Sequence, residues 1–283
     1  MNQDNSTRDA AAANTNDPPT PIHVGTMGWG YADWSGVFYP PKAASRDYIT
    51  LYSQSFDTVE IDSTFYGTPR ENQVKQWRVQ TPDNFVFCPK VPRQITHDAR
   101  LTGVTDMLGE FVRIMGLLGP KRGPMLLQMP PDFTRAELAA LETFLPTLAT
   151  LGDVAARFAI EFRHRSWLGT DISELLQRYD IALASADYVI MPRRYELTAD
   201  FVYLRLIGRH GQYTKNDRLY GDRSGDLQRW AEVLLRSRDR YKAAFVLINN
   251  EYEGYAPETA VRMKRLLGLP VADPPRVIQG SLF

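Results

Sequence analysis

The chain has 283 residues, 33 Lys plus Arg against 33 Asp plus Glu, and a single cysteine. A formal net charge of zero gives no bulk electrostatic pull toward nucleic acid. One cysteine cannot close an internal disulfide and fits a reducing cytoplasm, and no apolar run reaches the roughly 20 residues that span a bilayer.

Residues 1–21 are polar and rich in Ala, Asn, Asp and Pro. They contain no apolar core of a secretory signal, and the composition predicts a disordered lead-in. Short runs rich in Val, Ile, Leu and Phe then recur, as expected of strands covered on both faces. They are Ile22–Thr26, Thr58–Asp62, Phe85–Lys90, Pro124–Gln128, Arg157–Glu161, Ile181–Ser185, Phe201–Leu206 and Ala244–Asn249. Between them the pattern predicts helices over Ser45–Ser55, Arg70–Gln80, Gly103–Leu118, Thr134–Ala149, Asp171–Tyr179, Ser224–Tyr241 and Pro257–Leu267. Thr134 stands three residues before Glu137, a capping-box spacing, and Gly119-Pro120 is a helix stop. Residues 186–199 carry no helical pattern.

This order predicts an α/β fold, a (βα)8 TIM-like barrel of parallel strands over residues 22–269, with one degraded crossover after strand six and an extended tail over 270–283. About 250 residues is the usual size of such a barrel. An open doubly wound sheet is the competing architecture, but Gly25-Thr26-Met27-Gly28-Trp29-Gly30 does not match the G-x-G-x-x-G phosphate loop. Cys88, inside a strand, reads as a packed apolar residue.

A barrel gathers its site at the carboxyl ends of its strands. Those ends supply Glu60 and Asp62, then Lys90 with Arg93 and His97, then Gln128, then Glu161, Arg163 and His164, then Asp187, Arg205 and finally Asn249. Glu60, Asp62, Glu161 and His164 are the candidate catalytic groups. Trp29, Tyr66, Lys90, His97, Gln128, Arg163, Trp167, Arg205 and Asn249 are the candidate substrate-binding groups. A buried carboxylate needs a cation, a hydrogen-bond donor or a metal, so Glu60 and Arg205 read equally well as a salt-bridge network closing the barrel top. The aromatics at the same ends, including Trp29, Trp34, Phe65, Tyr66, Trp167 and Tyr188, fit stacking on a ligand or packing on one another. No H-x-x-x-H, H-x-H or cysteine cluster marks a metal. A divalent cation would need ligands from separate strands, and the metal and any other cofactor stay unassigned.

Several strings together resemble the domain-of-unknown-function 72 family, also called YecE-like. They are Gly28-Trp29, Phe38-Tyr39-Pro40, Val59 to Tyr66, Lys90-Val91-Pro92 with Ile95-Thr96-His97, Gln128 to Phe133, Glu161 to Trp167, Tyr203 to Gly208, and Asn249-Asn250. The resemblance spans nearly all of the chain after residue 21. It implies a TIM-barrel-like fold and no established activity. Met27 and Asp62 depart from it, standing where serine and asparagine are expected.

After Asp273-Pro274-Pro275-Arg276 the chain ends in Gln279-Gly280-Ser281-Leu282-Phe283. A Pro-rich tether leading to two large apolar residues is an exposed peptide. It resembles the bacterial sliding-clamp binding peptide, with Gln279, Leu282 and Phe283 in the matching places, which would connect the protein to DNA replication or repair. The alternative is that Leu282 and Phe283 tuck against the protein's own surface.

Three functions fit these residues. The first is a phosphoester hydrolase acting on nucleic acid or a nucleotide, with cations holding phosphate oxygens and carboxylates and His164 moving protons. The second is a non-catalytic module that binds nucleic acid or a phosphorylated small molecule and is recruited by the tail. The third is a glycoside hydrolase built on Glu60 and Glu161.

Overall fold

The computed structural model describes residues 20–151 and 156–276. The strands are β1 (Ile22–Met27), β2 (Thr58–Ile61), β3 (Val86–Pro89), β4 (Met125–Gln128), β5 (Phe158–Glu161), β6 (Ala182–Leu183), β7 (Ser185–Tyr188), β8 (Phe201–Gly208) and β9 (Ala243–Ile248). The helices are α1 (Tyr48–Tyr52), α2 (Glu71–Val79), α3 (Thr105–Gly116), α4 (Leu138–Leu151), α5 (Thr170–Gln177), α6 (Ser224–Arg236) and α7 (Ala256–Leu266). Every strand pair is parallel. The expected N-terminal lead-in lies almost wholly outside the described residues, and the clamp-like residues Gln279, Leu282 and Phe283 lie outside them too.

Among the described residues the ladders form two sheets, ordered β3-β2-β1-β9-β8-β7 and β4-β5-β6. Isolated parallel bridges, Phe87 with Arg122 and Lys90 with Leu126, connect β3 to the β4 side. The run predicted as one strand over 181–185 is two. Ala184 still donates its N–H to the Ile160 carbonyl at 2.9 Å, but from Ser185 the chain pairs with β8 instead. At this seam the Leu183 N–H goes to the Thr198 hydroxyl at 2.6 Å, so a side chain takes the place of a ladder partner. Residues 189–200 contain no helix, as the sequence pattern predicts.

Period-two alternation sends strand side chains to two separate cores. The larger core lies between strands and helices, and holds Val59, Ile61, Phe87, Leu127, Ile160 and Val246 with Leu108, Phe111, Leu141 and Trp230. The smaller holds Met27, Cys88, Leu126, Ala159, Ala182, Tyr203, Phe245 and Leu247 on the opposite strand face. Continuing the parity of this second set toward the carboxyl ends gives Lys90, Gln128, Glu161, Arg205 and Asn249. The face that is apolar at mid-strand therefore turns polar one step later.

Local chemistry fixes the elements. Thr134 and Glu137 make the predicted capping box ahead of α4. Gly25 allows β1 to approach β2 closely, since a Cβ there would stand 1.9 Å from the Thr58 carbonyl oxygen. No helix among the described residues is long and apolar enough to cross a membrane.

Candidate functional site

Beneath the strand ends lies a buried charge layer. Arg205 of β8 is 3 % exposed. Its Nε and Nη2 donate to the Glu60 carboxylate at 3.0 and 2.7 Å, and its Nη1 donates to Glu161 Oε2 at 2.6 Å. Tyr203 donates its hydroxyl to Glu60 Oε2 at 2.8 Å, and Arg163 Nε donates to Glu161 Oε1 at 2.6 Å. Two carboxylates thus share one guanidinium, and only Glu161 has a second. Burial pushes Glu60 up to about 7 despite Arg205. Burial raises Glu161 as well, but Arg205 and Arg163 together outweigh it and hold it at about 2.

Above this layer opens a cleft of about 550 Å³, walled by side chains from seven strand ends and the loops after them. Lys90 and Gln128 form its floor with Arg205, and Asp62, Arg93, His97, Arg163, His210 and Asn249 stand around it. Phe65, Tyr66 and Tyr31 supply aromatic surface, with Tyr66 76 % exposed at the mouth.

Lys90 is fixed from its backbone outward. Thr64 Oγ1 donates to the Lys90 carbonyl at 2.7 Å and accepts its N–H at 3.1 Å. The Lys90 ammonium stands 4.2 Å from the Phe65 ring centre. Asp62 Oδ1 is 3.8 Å from Nζ, an ion-pair separation longer than a hydrogen bond. Burial lowers the Lys90 pKa, against the pull of Asp62. Gln128 is 6 % exposed, yet its amide has no hydrogen bond among the described residues. Arg163 uses only Nε on Glu161, and its guanidinium lies 4.6 Å from the Tyr188 ring centre. His97 shares a 2.9 Å hydrogen bond with Thr96 through Nδ1. Burial, followed by Lys90, Arg93 and Arg163, lowers its pKa to about 4.

Several predicted residues stand elsewhere. His164 does not face the cleft. Its Nδ1 caps the short helix Arg165–Trp167 by accepting the Ser166 N–H. Trp167 is stacked between Phe133 and Phe162 and donates Nε1 to the Phe133 carbonyl at 2.7 Å. Trp29 packs edge-on against Trp77 and Phe87 on the helix side. Glu60 and Glu161 sit under the cleft, saturated by Arg205, and do not line it. Asp187 belongs to a separate network with Arg193, Arg223, Trp230 and Tyr252. The candidate substrate-binding set lacked His210 and Tyr31, and Phe65 stood only among the aromatics at the strand ends. His210 comes from the loop between Gly208 and Gly211, both with positive φ, where no hydrophobic period exists to reveal direction. Tyr31 reaches back to donate to the Met27 carbonyl at 2.6 Å.

Among the described residues no three His, Cys, Asp or Glu side chains gather so as to hold a metal ion. The arrangement does supply hydrogen-bond donors and positive charge around one accessible carboxylate, Asp62. That combination suits an anionic ligand with a proton-transfer group beside it.

A family model described as protein of unknown function DUF72 matches residues 23–279. The chain belongs to the DUF72 family. Relatives of this DUF72 protein include the UPF0759 protein YunF of Bacillus subtilis, 27 % identical over 88 % of this chain and 95 % of YunF. The UPF0759 protein YecE of Escherichia coli O157:H7 is 30 % identical over 61 % of this chain. The match spans only 60 % of that YecE protein's length. A crystal structure of a DUF72 family protein from Thermotoga maritima superposes with a TM-score of 0.74 at 27 % identity, covering 88 % of this chain and 99 % of that one. A second, from Enterococcus faecalis, gives a TM-score of 0.72 at 21 % identity, a likeness of fold alone.

Proposed function

We propose that the cleft recognises the phosphate of a nucleotide or other phosphorylated ligand, and that the protein is a phosphoester hydrolase. The observation that carries this reading is the pairing of Lys90 and Gln128. Both are more than nine-tenths buried, and both turn polar groups without a hydrogen-bond partner among the described residues into a cleft that Arg93 and Arg163 also line. Polar side chains held at the wall of a cleft without protein partners are free to meet a ligand there.

In this reading the Arg163 and Arg93 guanidiniums and the Gln128 amide take phosphoryl oxygens. Asp62 accepts a proton from the attacking water. Arg205, Glu60 and Glu161 act from beneath, holding Arg163 in place. The glycoside reading loses its pair, because the two carboxylates it needs are both engaged by Arg205. We further infer that the two sheets are arcs of one TIM-like (βα)8 barrel in a cytoplasmic protein. The β3–β4 bridges and the cleft's position at the carboxyl strand ends support that architecture.

The test is calorimetric titration of the full chain with inorganic phosphate and with nucleoside monophosphates at low salt, followed by a phosphoester panel with and without divalent metal. Saturable binding, lost in Arg163→Ala, supports the reading. Absence of saturable binding by the unaltered protein overturns it. Binding that is retained while no phosphoester is cleaved would favour the non-catalytic module, recruited to a sliding clamp by the tail.

A further inference from the structure

We propose that Lys90 is an amine nucleophile that condenses with the carbonyl carbon of a phosphorylated aldehyde or ketone held in the cleft. This rests on the phosphate-recognition part of the reading above and does not need the hydrolytic part.

The molecule contains its own comparison. Two lysines are buried, Lys121 at 4 % exposure and Lys90 at 8 %. Lys121 is saturated in the way a structural ammonium must be: its Nζ donates to the Arg78 and Thr81 carbonyls, each at 2.6 Å, and faces the Thr81 hydroxyl at 3.4 Å. Lys90 Nζ makes no hydrogen bond among the described residues. Its nearest carboxylate oxygen is 3.8 Å away, and one side of it is covered by the face of the Phe65 ring, which shields it from water and offers only a cation–π attraction. An ammonium in this largely buried place, with no hydrogen bond from the protein, is disfavoured relative to the neutral amine. Burial and the neighbouring Arg205 favour loss of the proton, against Asp62, Glu60 and Glu161. A desolvated lysine beside other cations is the usual form of an amine nucleophile. Thr64 clamps the Lys90 backbone on both its N–H and its carbonyl, so the side chain projects from a fixed root into the cleft.

The chemistry balances without any redox partner. The Lys90 Nζ lone pair forms a bond to the carbonyl carbon, the carbonyl π electrons move to oxygen, and Asp62 carries one of the two Nζ protons to that oxygen, giving the carbinolamine. Asp62 then accepts the second Nζ proton and returns it to the carbinolamine hydroxyl, which departs as water as the C=N bond forms. Amine plus carbonyl gives imine plus water, and Asp62 ends as it began. Arg163, Arg93 and Gln128 hold the phosphate and so set the carbonyl at the distance of Nζ.

Pyridoxal 5′-phosphate is a suitable probe because it carries an aldehyde and a phosphate in one small molecule. The full chain is incubated with it, reduced with borohydride, digested, and the pyridoxyl group located by mass spectrometry. Lys90 is expected to label faster than the exposed Lys75 and Lys242 by about tenfold or more, as a desolvated amine does. Lys90→Met removes that label, and Asp62→Asn slows it severalfold. Label confined to Lys75, Lys242 and other exposed lysines in the unaltered protein overturns the assignment. Phosphate binding seen by calorimetry together with an unlabelled Lys90 retires this inference and leaves the phosphate reading standing. Equal labelling of Lys90 by pyridoxal lacking the phosphate, with no competition by inorganic phosphate, removes the phosphate reading and with it the phosphorylated substrate proposed here.

Discussion

Glu60 of β2 and Arg205 of β8 stand 145 residues apart in the chain and meet through two hydrogen bonds beneath the cleft. The same guanidinium reaches Glu161 of β5. One side chain therefore ties strands of both sheets together directly under the candidate site.

Arg205→Ala leaves two buried carboxylates with a single remaining guanidinium on one of them. Removing one partner of a buried ion pair costs about 3–5 kcal/mol. Urea unfolding is expected to show a loss of that size. A loss under about 1 kcal/mol would mean that water replaces the guanidinium freely, contrary to the burial described.

Glu60 and Glu161 impose opposite pH dependences. Glu60 is raised from 4.5 to about 7, so between those values the folded protein holds a proton that the unfolded chain has released. Its contribution is present at low pH and is lost as pH rises through about 7. Glu161 is lowered from 4.5 to about 2, so its contribution is present above 4.5 and is lost as pH falls toward 2. Glu60→Gln should therefore gain stability relative to the unaltered protein as pH rises from 4.5 to 7. Denaturation midpoints taken across that window measure the trend. Parallel curves for the two proteins would contradict it.

Lys90→Met replaces a poorly satisfied buried amine by an apolar side chain of similar length. Stability is expected to hold or rise by up to about 2 kcal/mol, the usual gain where function has kept a strained group. Phosphate binding, held by Arg163, Arg93 and Gln128, should be retained at the same time. Thermal melting paired with calorimetry reads both, and a sharp drop in melting temperature would assign Lys90 to the core instead of the cleft.

Arg163→Ala removes the guanidinium that engages both Glu161 and the cleft. A charge-assisted hydrogen bond contributes about 1.5–3 kcal/mol, so phosphate affinity should weaken by roughly 10- to 100-fold. The Glu161 carboxyl should titrate closer to the ordinary range, visible by NMR of the labelled side chain. Unchanged affinity would remove Arg163 from the binding set.

Gly208 closes β8 with φ +79°, and a Cβ there would lie 2.1 Å from the Glu251 carbonyl oxygen. Gly208→Ala combines this overlap with a backbone conformation that alanine avoids, so the loop carrying His210 must move. Destabilisation of more than about 1 kcal/mol is expected, with faster amide exchange confined to residues 208–213. A variant as stable and as protected as the parent would contradict that placement.

Much of the strand order could be read from the chain, because each strand is a short apolar run whose two faces are both covered. Register could be read too: Lys90, Gln128, Glu161, Arg205 and Asn249 fall on one parity, and the structure puts that parity on one strand face. What the pattern lacks is depth. Glu60 and Asp62 share a face, yet Glu60 is saturated by Arg205 and Tyr203 while Asp62 reaches the cleft. Which carboxylate is accessible depends on an arginine that arrives from far along the chain. Trp167 and His164 misled for a local reason, since a short helical turn after β5 carries one into a stack and the other into a cap. The seam at Ala184 was invisible for a similar reason, because a hydroxyl from Thr198 replaces a strand, and no periodicity marks such an exchange.

Past α7 the chain crosses to Gln54, which exchanges two hydrogen bonds with the Arg276 backbone at 2.9 and 3.1 Å, and the Ser55 hydroxyl donates to the Asp273 carbonyl at 3.2 Å. Gln54 and Ser55 precede β2, so this anchorage is at the opposite pole from the ligand mouth. The segment Asp273–Arg276 is thus moored behind the strands, and the mooring leaves the opening clear for its contents.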